Sequence, residues 1–324
     1  MSIPTATGIY GPVQDDIPLV EATLRSLRPV DLPWLAQMLD QILGGGGKRI
    51  RPAIALLAGK FNRYDLNLLA PLAASIELLH SATLVHDDVI DAAPTRRGRS
   101  TANAIFDNAA SVMIGDYMFA HAAELVARTG NIEVIRLFAR TLLSMATGEL
   151  DQDLSAYSYS QTTVSYFNRI AGKTASLFAT AAKGGAMVAE VRPDWAESLR
   201  DYGENIGMAF QIVDDILDFT GNETEMGKPV GSDLMHGTLT LPALLLMERH
   251  PKNNPVRRLF AGRQREENLR RSIEMIRDSD ILDASQQVAR DFAERAFAAL
   301  APLPAGGAKE ALIDLVDWVL SRRT

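Results

Sequence analysis

Cysteine is absent from all 324 residues of the sequence. Its absence excludes disulfide bonds, thiolate catalysis and zinc sites built from cysteine. An excess of positive charge is also missing, since the formal net charge is −7. Proteins that bind nucleic acids are usually basic. We therefore expect no nucleic-acid partner.

Two kinds of membrane-directed segment are missing as well. Residues 1–16 do not combine a charged start with an apolar stretch, so they do not resemble a signal peptide. No uninterrupted apolar run reaches the length of about 20 residues that spans a bilayer. Together these absences predict a cytoplasmic protein without a transmembrane segment.

Runs of β-branched residues are few, and alanine and leucine dominate the hydrophobic 47% of the chain, which favours helices over sheet. Apolar residues recur at helical spacing, with no clear run of alternating strand residues. The spacing predicts helices over 66–91, 109–129, 131–154, 161–189 with a break at 172–174, 194–219, 238–249, 264–278, 280–300 and 308–322. Short connections predict one all-α domain over residues 15–324, after a flexible arm at residues 1–14.

Two acidic motifs of the pattern Asp-Asp-x-x-Asp close apolar helical runs. They consist of Asp87, Asp88 and Asp91 in the first motif and Asp214, Asp215 and Asp218 in the second. Carboxylates four residues apart share one face of a helix, where like charges repel. The C-terminal end of a helix also disfavours anions, because the helix dipole is negative there. Such violations of local rules tend to mark functional sites.

Aspartate motifs of this kind suit a hard cation. Mg²⁺ prefers oxygen ligands and is usually held by one or two carboxylates together with substrate phosphates. Two facing clusters would therefore bind a diphosphate through bridging Mg²⁺. The competing interpretation is a solvated acidic helix end, which explains a single motif better than a pair on apolar helices.

Basic side chains complement the acidic motifs. Residues 46–52 put flexible glycines and three cations at a predicted helix start, which is a good anion site. Lys48 and Arg51 share one face if this segment is helical. Arg96 and Arg97 follow the first acidic motif, and guanidinium groups suit phosphate oxygens.

Further polar residues have two interpretations each. His80, two helical turns before the first motif, is either a buried, satisfied histidine or a phosphate contact. Lys173 and Thr174 either mark a simple helix break or meet a diphosphate. Gln211 could hold a metal-bound water or the substrate, and Lys228 is either an ordinary loop lysine or a mobile cation that closes over the site.

The ordered motifs resemble those of the trans-isoprenyl diphosphate synthases (polyprenyl synthetases), from about residue 20 to the end of the sequence. The matching segments are 46–52, 80–91, 96–98, 115–117, 148–149, 173–177, 210–218 and 227–242. The resemblance implies a single bundle of antiparallel helices around a deep central cavity, usually in a homodimer. It also implies a prenyltransferase that condenses isopentenyl diphosphate with an allylic diphosphate, head to tail, through Mg²⁺-assisted ionisation to an allylic carbocation.

The same resemblance implies roles for individual residues. Three Mg²⁺ would be held by Asp87, Asp91 and Asp214, with support from Asp88, Asp215 and Asp218. Isopentenyl diphosphate would be bound by Lys48, Arg51, His80 and Arg97. The allylic substrate would be bound by Arg96, Lys173, Thr174, Gln211 and Lys228, with Lys173 also counted as catalytic. One departure stands out, because Thr238 occupies a position at which many members have a second lysine.

The resemblance also bears on product length. Short-chain relatives typically close the cavity with aromatic residues four and five positions before the first aspartate, where this chain has the small Thr83 and Ala82. Leu79 and Ser75, farther back, are not aromatic either. We therefore expect a product longer than C15, with C25 or beyond favoured, and a transient membrane contact for its release.

Three alternatives remain open on the sequence alone. A class I terpene cyclase also ionises a diphosphate, but it normally replaces the second motif and needs no cations for a second diphosphate. A non-catalytic subunit of a heteromeric synthase would tend to lose the aspartates that are present in this chain. A purely structural helical bundle would leave six clustered aspartates uncompensated.

Overall fold

The computed structural model describes residues 9–27, 31–44, 47–96, 98–221 and 229–322. The chain is 75% helical. Within the described residues the one sheet is a two-stranded antiparallel hairpin of Thr95–Arg96 (β1) and Arg99–Ser100 (β2). The prediction of an all-α fold is confirmed.

The helices follow one another closely along the chain. In the first half of the described chain they are Ile17–Arg25 (α1), Pro33–Leu43 (α2), Ile50–Gly59 (α3), Leu66–Ile90 (α4), Ala102–Ile105 (α5), Asn108–Ala127 (α6) and Ile132–Leu154 (α7). In the second half they are Thr163–Ile170 (α8), Ser176–Val188 (α9), Pro193–Thr220 (α10), Ser232–Met235 (α11), Leu241–Arg249 (α12), Pro255–Phe260 (α13), Arg265–Arg277 (α14), Ile281–Ala299 (α15) and Gly307–Ser321 (α16). Most bounds lie close to those that the hydrophobic spacing predicts.

Two local features differ from the prediction. The predicted helix break at residues 172–174 is a π-turn, Ala171–Ala175, which carries α8 into α9 without interruption. The loop after the first acidic motif contains the β1–β2 hairpin instead of being wholly irregular. Both features lie beside residues that the sequence singles out for chemistry, and π-turns often occur at functional sites.

The chain forms two compact units, each assembled from separate segments. Unit 1 comprises Met1–Thr141, Leu177–Gly203 and Ala299–Leu315, and unit 2 comprises Leu142–Ser176, Glu204–Ala298 and Val316–Thr324. The first acidic motif belongs to unit 1 and the second to unit 2. The assignment of residues 15–324 to one catalytic domain stays a prediction.

Residues 9–13, before α1, are packed within unit 1. Ile9 and Val13 are completely buried, and the hydroxyl of Tyr10 donates to the backbone carbonyl of Lys48. The predicted flexible arm at residues 1–14 is therefore wrong for its second half. Residues 1–8 lie outside the described part of the chain.

Helix α4 is the central element of unit 1. Its N-terminus is capped by Asp65, whose side chain accepts a hydrogen bond from the amide of Asn67 at 2.9 Å. From Leu69 to Ala82 the helix is buried on nearly all sides, mainly against α6 and then α3. A helix that is apolar all round needs such burial on every face.

The burial of α4 bears on the membrane prediction. By length and composition alone α4 could cross a membrane, although the sequence predicts no transmembrane segment. However, 67% of its most apolar window is buried inside the structure. A buried core helix can have the same length and composition, so these two properties are weak evidence for a membrane span.

Unit 2 has its own apolar core around the second half of α10. Ile212 and Phe219 on this helix are completely buried, together with Tyr166 on α8 and Leu246 on α12. Because these residues surround α10, its acidic motif is carried on a firmly packed helix.

A pair of adjacent glycines in α9 tests the packing of unit 1. A Cβ at Gly185 would lie 2.1 Å from the carbonyl oxygen of Ala55 on α3, whereas a Cβ at Gly184 would lie 3.5 Å from the nearest side-chain atom of Leu72. We expect Gly185→Ala to lower the free energy of unfolding by about 1–3 kcal/mol, because backbone must shift. Gly184→Ala should instead be neutral or stabilising by up to about 1 kcal/mol. Denaturant unfolding of both variants measures this, and equal effects would contradict the close contact of α9 with α3.

Candidate active site

The first acidic motif lies at the C-terminal end of α4. Asp87 is half-buried, Asp91 is exposed, and Asp88 is buried. Asp91 caps the helix, with its amide donating to the carbonyl of Asp87 at 2.8 Å. The two more accessible carboxylates thus stand one helical turn apart at the helix end.

The buried Asp88 is compensated from the β hairpin. The Nε of Arg96 donates to Asp88 Oδ1 at 2.7 Å. Burial raises the pKa of the Asp88 carboxyl, the nearby Arg96 guanidinium opposes this shift, and Asp91 adds to it. Asn103 also donates to the backbone carbonyl of Asp88, at 3.2 Å. Arg96, predicted to bind the allylic substrate, is in this structure the partner of an aspartate.

The second motif, on α10, has one accessible carboxylate and two buried ones. The side chain of Asp214 is 36% exposed, whereas Asp215 and Asp218 are almost completely buried. Asp218 accepts from the amide of Asp233 at 3.3 Å, and its backbone carbonyl accepts from the amide of Gly231 at 2.9 Å. Asp218 therefore fixes the backbone at Gly231 and Asp233, at the start of α11.

A chain of hydrogen bonds holds Asp215. Tyr166 on α8 donates to Asp215 Oδ2 at 2.6 Å, and the amide of Gln211 donates to Asp215 Oδ1 at 2.9 Å. The hydroxyl of Thr174, in the π-turn, donates to Gln211 Oε1 at 2.7 Å. Burial, followed by the charge of Asp233, raises the pKa of Asp215 to about 7 against the lowering effect of Tyr166 and Gln211.

Lys173 in the π-turn is positioned by close packing against α7. Its ammonium lies 2.5 Å from Glu149 Oε2. A Cβ at Gly148 would lie 3.0 Å from the amide nitrogen of Lys173, so a larger residue there would push the π-turn away. Gly148 on α7 therefore lets the π-turn approach closely, and this contact places Lys173 beside Glu149.

The basic segment at the start of α3 contains three cations in different surroundings. Lys48 is exposed and lies before the helix, because Arg49 adopts a left-handed backbone conformation with φ of 39°. Arg49 is 7% exposed and pairs with Glu77 of α4 at 2.7 Å and with Glu21. Arg51, in the first turn of α3, stacks over the ring of Phe178 at 4.4 Å. Lys48 thus lies outside the helix, and the condition under which Lys48 and Arg51 would share a helical face is not met.

The predicted chain-length residues lie on α4. Ser75, Leu79 and Ala82 are buried, and Thr83 is half-buried with its hydroxyl bonded to the carbonyl of His80 at 2.8 Å. His80 is itself half-buried. None of the four chain-length residues carries an aromatic ring.

Two predicted cations, Arg97 and Lys228, lie outside the described residues. Three side chains to which the sequence assigns no role contact the predicted set: Tyr166 at Asp215, Glu149 at Lys173 and Arg322 at Asp214. Tyr166 and Arg322 carry no motif, and their partners are 49 and 108 positions away (322 minus 214). Among the described residues, no group of three or more His, Asp or Glu side chains could hold a metal ion by itself.

Comparison with known proteins identifies the family. The model of the family described as polyprenyl synthetase matches residues 32–276. The chain belongs to the polyprenyl synthetase family. It is 37% identical over 314 residues to heptaprenyl diphosphate synthase component 2 of Bacillus subtilis, covering 97% of this chain and 90% of that protein. It is 36% identical over 309 residues to octaprenyl diphosphate synthase of Escherichia coli, covering 95% and 96% of the two chains.

A solved structure agrees with this membership. The polyprenyl synthase of Caulobacter crescentus, in complex with calcium and isoprenyl diphosphate, superposes with a TM-score of 0.94 at 35% identity, covering 100% of both chains. As a polyprenyl synthetase, the chain is a prenyltransferase of isoprenoid biosynthesis. The predicted family, fold class and enzyme class are confirmed.

The environment of Asp215 predicts a pH-dependent stability. Its pKa in the folded chain lies above the ordinary value of 3.8, so the contribution of Asp215 to the stability of the metal-free synthetase should fall as pH rises from about 4 to about 7 and stay level above that. Tyr166→Phe removes a donor that favours the ionised carboxyl. It should therefore cost about 1.5–3 kcal/mol above pH 7, and less at pH 5.

Tyr202→Phe is the matched control, since the completely buried Tyr202 donates to a neutral acceptor, the carbonyl of Leu312, at 2.8 Å. Its cost should be about 0.5–1.5 kcal/mol at either pH. Urea unfolding at pH 5 and pH 8 separates the two variants. A loss of stability in Tyr166→Phe that is the same at both pH values would contradict the raised pKa of Asp215.

Proposed function

We propose that this prenyltransferase uses its two aspartate motifs to hold Mg²⁺ on the diphosphate of an allylic substrate, which it then elongates with isopentenyl diphosphate. The carrying observation is that both motifs combine buried with accessible carboxylates. In each, one buried carboxylate is hydrogen-bonded to neighbouring side chains, while Asp87 and Asp91 in the first and Asp214 in the second keep more access to solvent. The accessible members are the three that we propose as metal ligands.

The donor set fits Mg²⁺. Accessible carboxylates are hard oxygen ligands, and Mg²⁺ commonly takes only one or two of them, with substrate phosphates completing its shell. No described group of acidic or histidine side chains could hold a metal alone, which agrees with binding that needs the diphosphate as well. The complex of the Caulobacter crescentus relative with calcium and isoprenyl diphosphate supports a divalent cation in this family. We propose three Mg²⁺ for each active site.

When bound, Mg²⁺ neutralises the negative charge that develops on the departing diphosphate. The protein supplies positioning. Asp88, Asp215 and Asp218 fix the ends of α4 and α10, so that the accessible aspartates are held in place. We propose that Lys173 and Thr174 in the π-turn, with Gln211, Arg96 and Lys228, receive the allylic diphosphate.

Isopentenyl diphosphate needs a second anion site. We propose Lys48, Arg51, His80 and Arg97 for it. Lys48 is exposed beside a rigid anchor, the buried Arg49–Glu77 pair, and Arg51 is held by Phe178. Diphosphate leaves the allylic substrate as the C–O bond breaks, and an allylic carbocation remains. The isopentenyl double bond attacks this cation to form the new C–C bond, and transfer of a proton to the released diphosphate restores the alkene. The product has one more isoprene unit and can react again.

The active form is proposed to be a homodimer. α7 exposes three leucines of unit 2 along one side, with exposed fractions of 68% for Leu143, 62% for Leu150 and 84% for Leu154. Such apolar side chains favour burial against another chain. The name of the Bacillus subtilis relative, a component 2, favours a heteromeric assembly as the second candidate.

We also propose a cytoplasmic location, with transient contact to a membrane during product release. The extensive burial of α4 supports a chain without a membrane span. An elongated polyprenyl chain is apolar, so its release into a bilayer is more favourable than release into water.

The function is tested with the purified chain alone. With Mg²⁺, isopentenyl diphosphate and one allylic primer at a time, we expect elongation to products beyond C15 and a solution mass of twice the monomer. Asp87→Ala and Asp214→Ala should each lower the rate by about 10²–10³-fold, the usual range for losing one electrostatic group. Asp15→Ala, at an exposed site, is the control and should keep full activity. No elongation without a second protein would favour the heteromeric alternative, and activity in both aspartate variants would contradict the proposed metal site.

Product length is tested on α4. Ala82→Phe places an aromatic ring at a completely buried position, and Thr83→Phe places one at a half-buried position where less repacking is needed. We expect both variants to shift the main product to a shorter chain, because the ring narrows the path of the growing tail. Chromatographic sizing of the products measures the shift, and circular dichroism checks the fold. Folded variants with unchanged products would contradict the proposed path beside α4.

A further inference from the structure

Arg322, which follows α16, forms an ion pair with the second acidic motif. Its Nη1 lies 2.7 Å from Oδ1 of Asp214, the accessible aspartate of the second motif. The side chain of Arg322 is only 10% exposed, whereas that of Asp214 is 36% exposed. The guanidinium therefore contacts the carboxylate from its buried side, and part of the Asp214 side chain stays accessible to solvent.

Two aromatic rings hold the Arg322 guanidinium. Its Cζ lies 4.2 Å from the centroid of Phe210 on α10 and 5.4 Å from that of Trp318 on α16. Phe210 lies four residues before Asp214 and thus on the same side of α10. Cation–π contacts keep a guanidinium oriented without using its hydrogen-bonding protons. The clamp therefore fixes the position of Arg322 while leaving its N–H groups able to exchange one oxygen partner for another.

The chemistry of this contact suits an exchange. A guanidinium binds carboxylate and phosphate oxygens in the same planar, forked geometry, and an ion pair with a partly exposed carboxylate is weak. Mg²⁺ at Asp214 would compete with Arg322 for the same oxygen. A diphosphate arriving with Mg²⁺ would offer Arg322 new oxygens at the place where it already stands.

We propose that Arg322 is a diphosphate-binding residue, which Asp214 and the aromatic clamp hold ready until a Mg²⁺-bound diphosphate arrives. The proposal rests on the proposed function of Asp214 as a metal ligand. In the metal-free chain Arg322 neutralises Asp214. In the loaded chain it turns to the diphosphate, and Asp214 is released to the metal.

The test measures binding by calorimetry, with no turnover. Wild-type chain, Arg322→Gln and Arg322→Lys are titrated with Mg²⁺ alone and with inorganic diphosphate in the presence of Mg²⁺. For Arg322→Gln we expect tighter binding of Mg²⁺ alone, by about two- to fivefold, since a weak competitor is gone. The same variant should bind diphosphate about 10–100-fold more weakly, because a charge-assisted contact is lost. Arg322→Lys should recover part of the diphosphate affinity.

Arg192→Gln is the matched control. Arg192 pairs with Asp194 at 2.6 Å and stacks over Trp195 at 4.9 Å, but Asp194 is not part of an acidic motif. This variant should change neither affinity. Circular dichroism and thermal unfolding verify that every variant is folded.

Opposite changes in the two affinities of Arg322→Gln support the proposal. A fall in both affinities would mean that Arg322 only orders Asp214, and this result would overturn the proposal. No change in either affinity would mean that the Arg322–Asp214 pair has no role in binding, and this result would overturn it too. Failure of the wild-type chain itself to bind diphosphate with Mg²⁺ would contradict the proposed function of Asp214 and the inference with it. Normal binding by wild type and variant alike would overturn the role of Arg322 alone.

Discussion

Carboxylates crowded at the C-terminal ends of two helices are the constraint to which the surrounding structure responds. Each crowded end is unfavourable by itself, since like charges repel and the helix dipole opposes anions. The response is the same at α4 and α10: one carboxylate is buried and hydrogen-bonded, by Arg96 at Asp88 and by Tyr166 and Gln211 at Asp215. Asp218 is buried as well, whereas Asp87, Asp91 and Asp214 keep access to solvent, which is what a metal-binding role requires.

The partners of these carboxylates account for the irregular parts of the fold. The β hairpin carries Arg96 back to α4, and the π-turn places Thr174 against Gln211. In a helical protein such irregularities would otherwise cost stability for no return. Their position next to the acidic motifs indicates that they serve the site rather than the core.

The helices and the acidic motifs could be predicted from the sequence because both are local patterns. Helical spacing places α10 and α7 to within a residue or two, and the Asp-Asp-x-x-Asp spacing is visible directly. The compensating contacts could not be predicted, because Tyr166 and Asp215 are 49 positions apart and nothing in their local sequence links them. The backbone of Arg49 is a second example: because of its left-handed conformation, α3 begins only at Ile50, although the residue types allow a helix that includes Lys48.

Arg49 shows how a strained residue can serve a neighbouring one. A left-handed conformation is unfavourable for an arginine and persists only where the surroundings fix it. In this chain Glu77 of α4 and Glu21 of α1 hold the buried guanidinium, and the hydroxyl of Tyr10 holds the carbonyl of Lys48. Breaking a buried ion pair is strongly destabilising, so this anchor is firm. Arg49 is buried while Lys48 is exposed, so the buried charge pairs fix the backbone from which the exposed lysine extends.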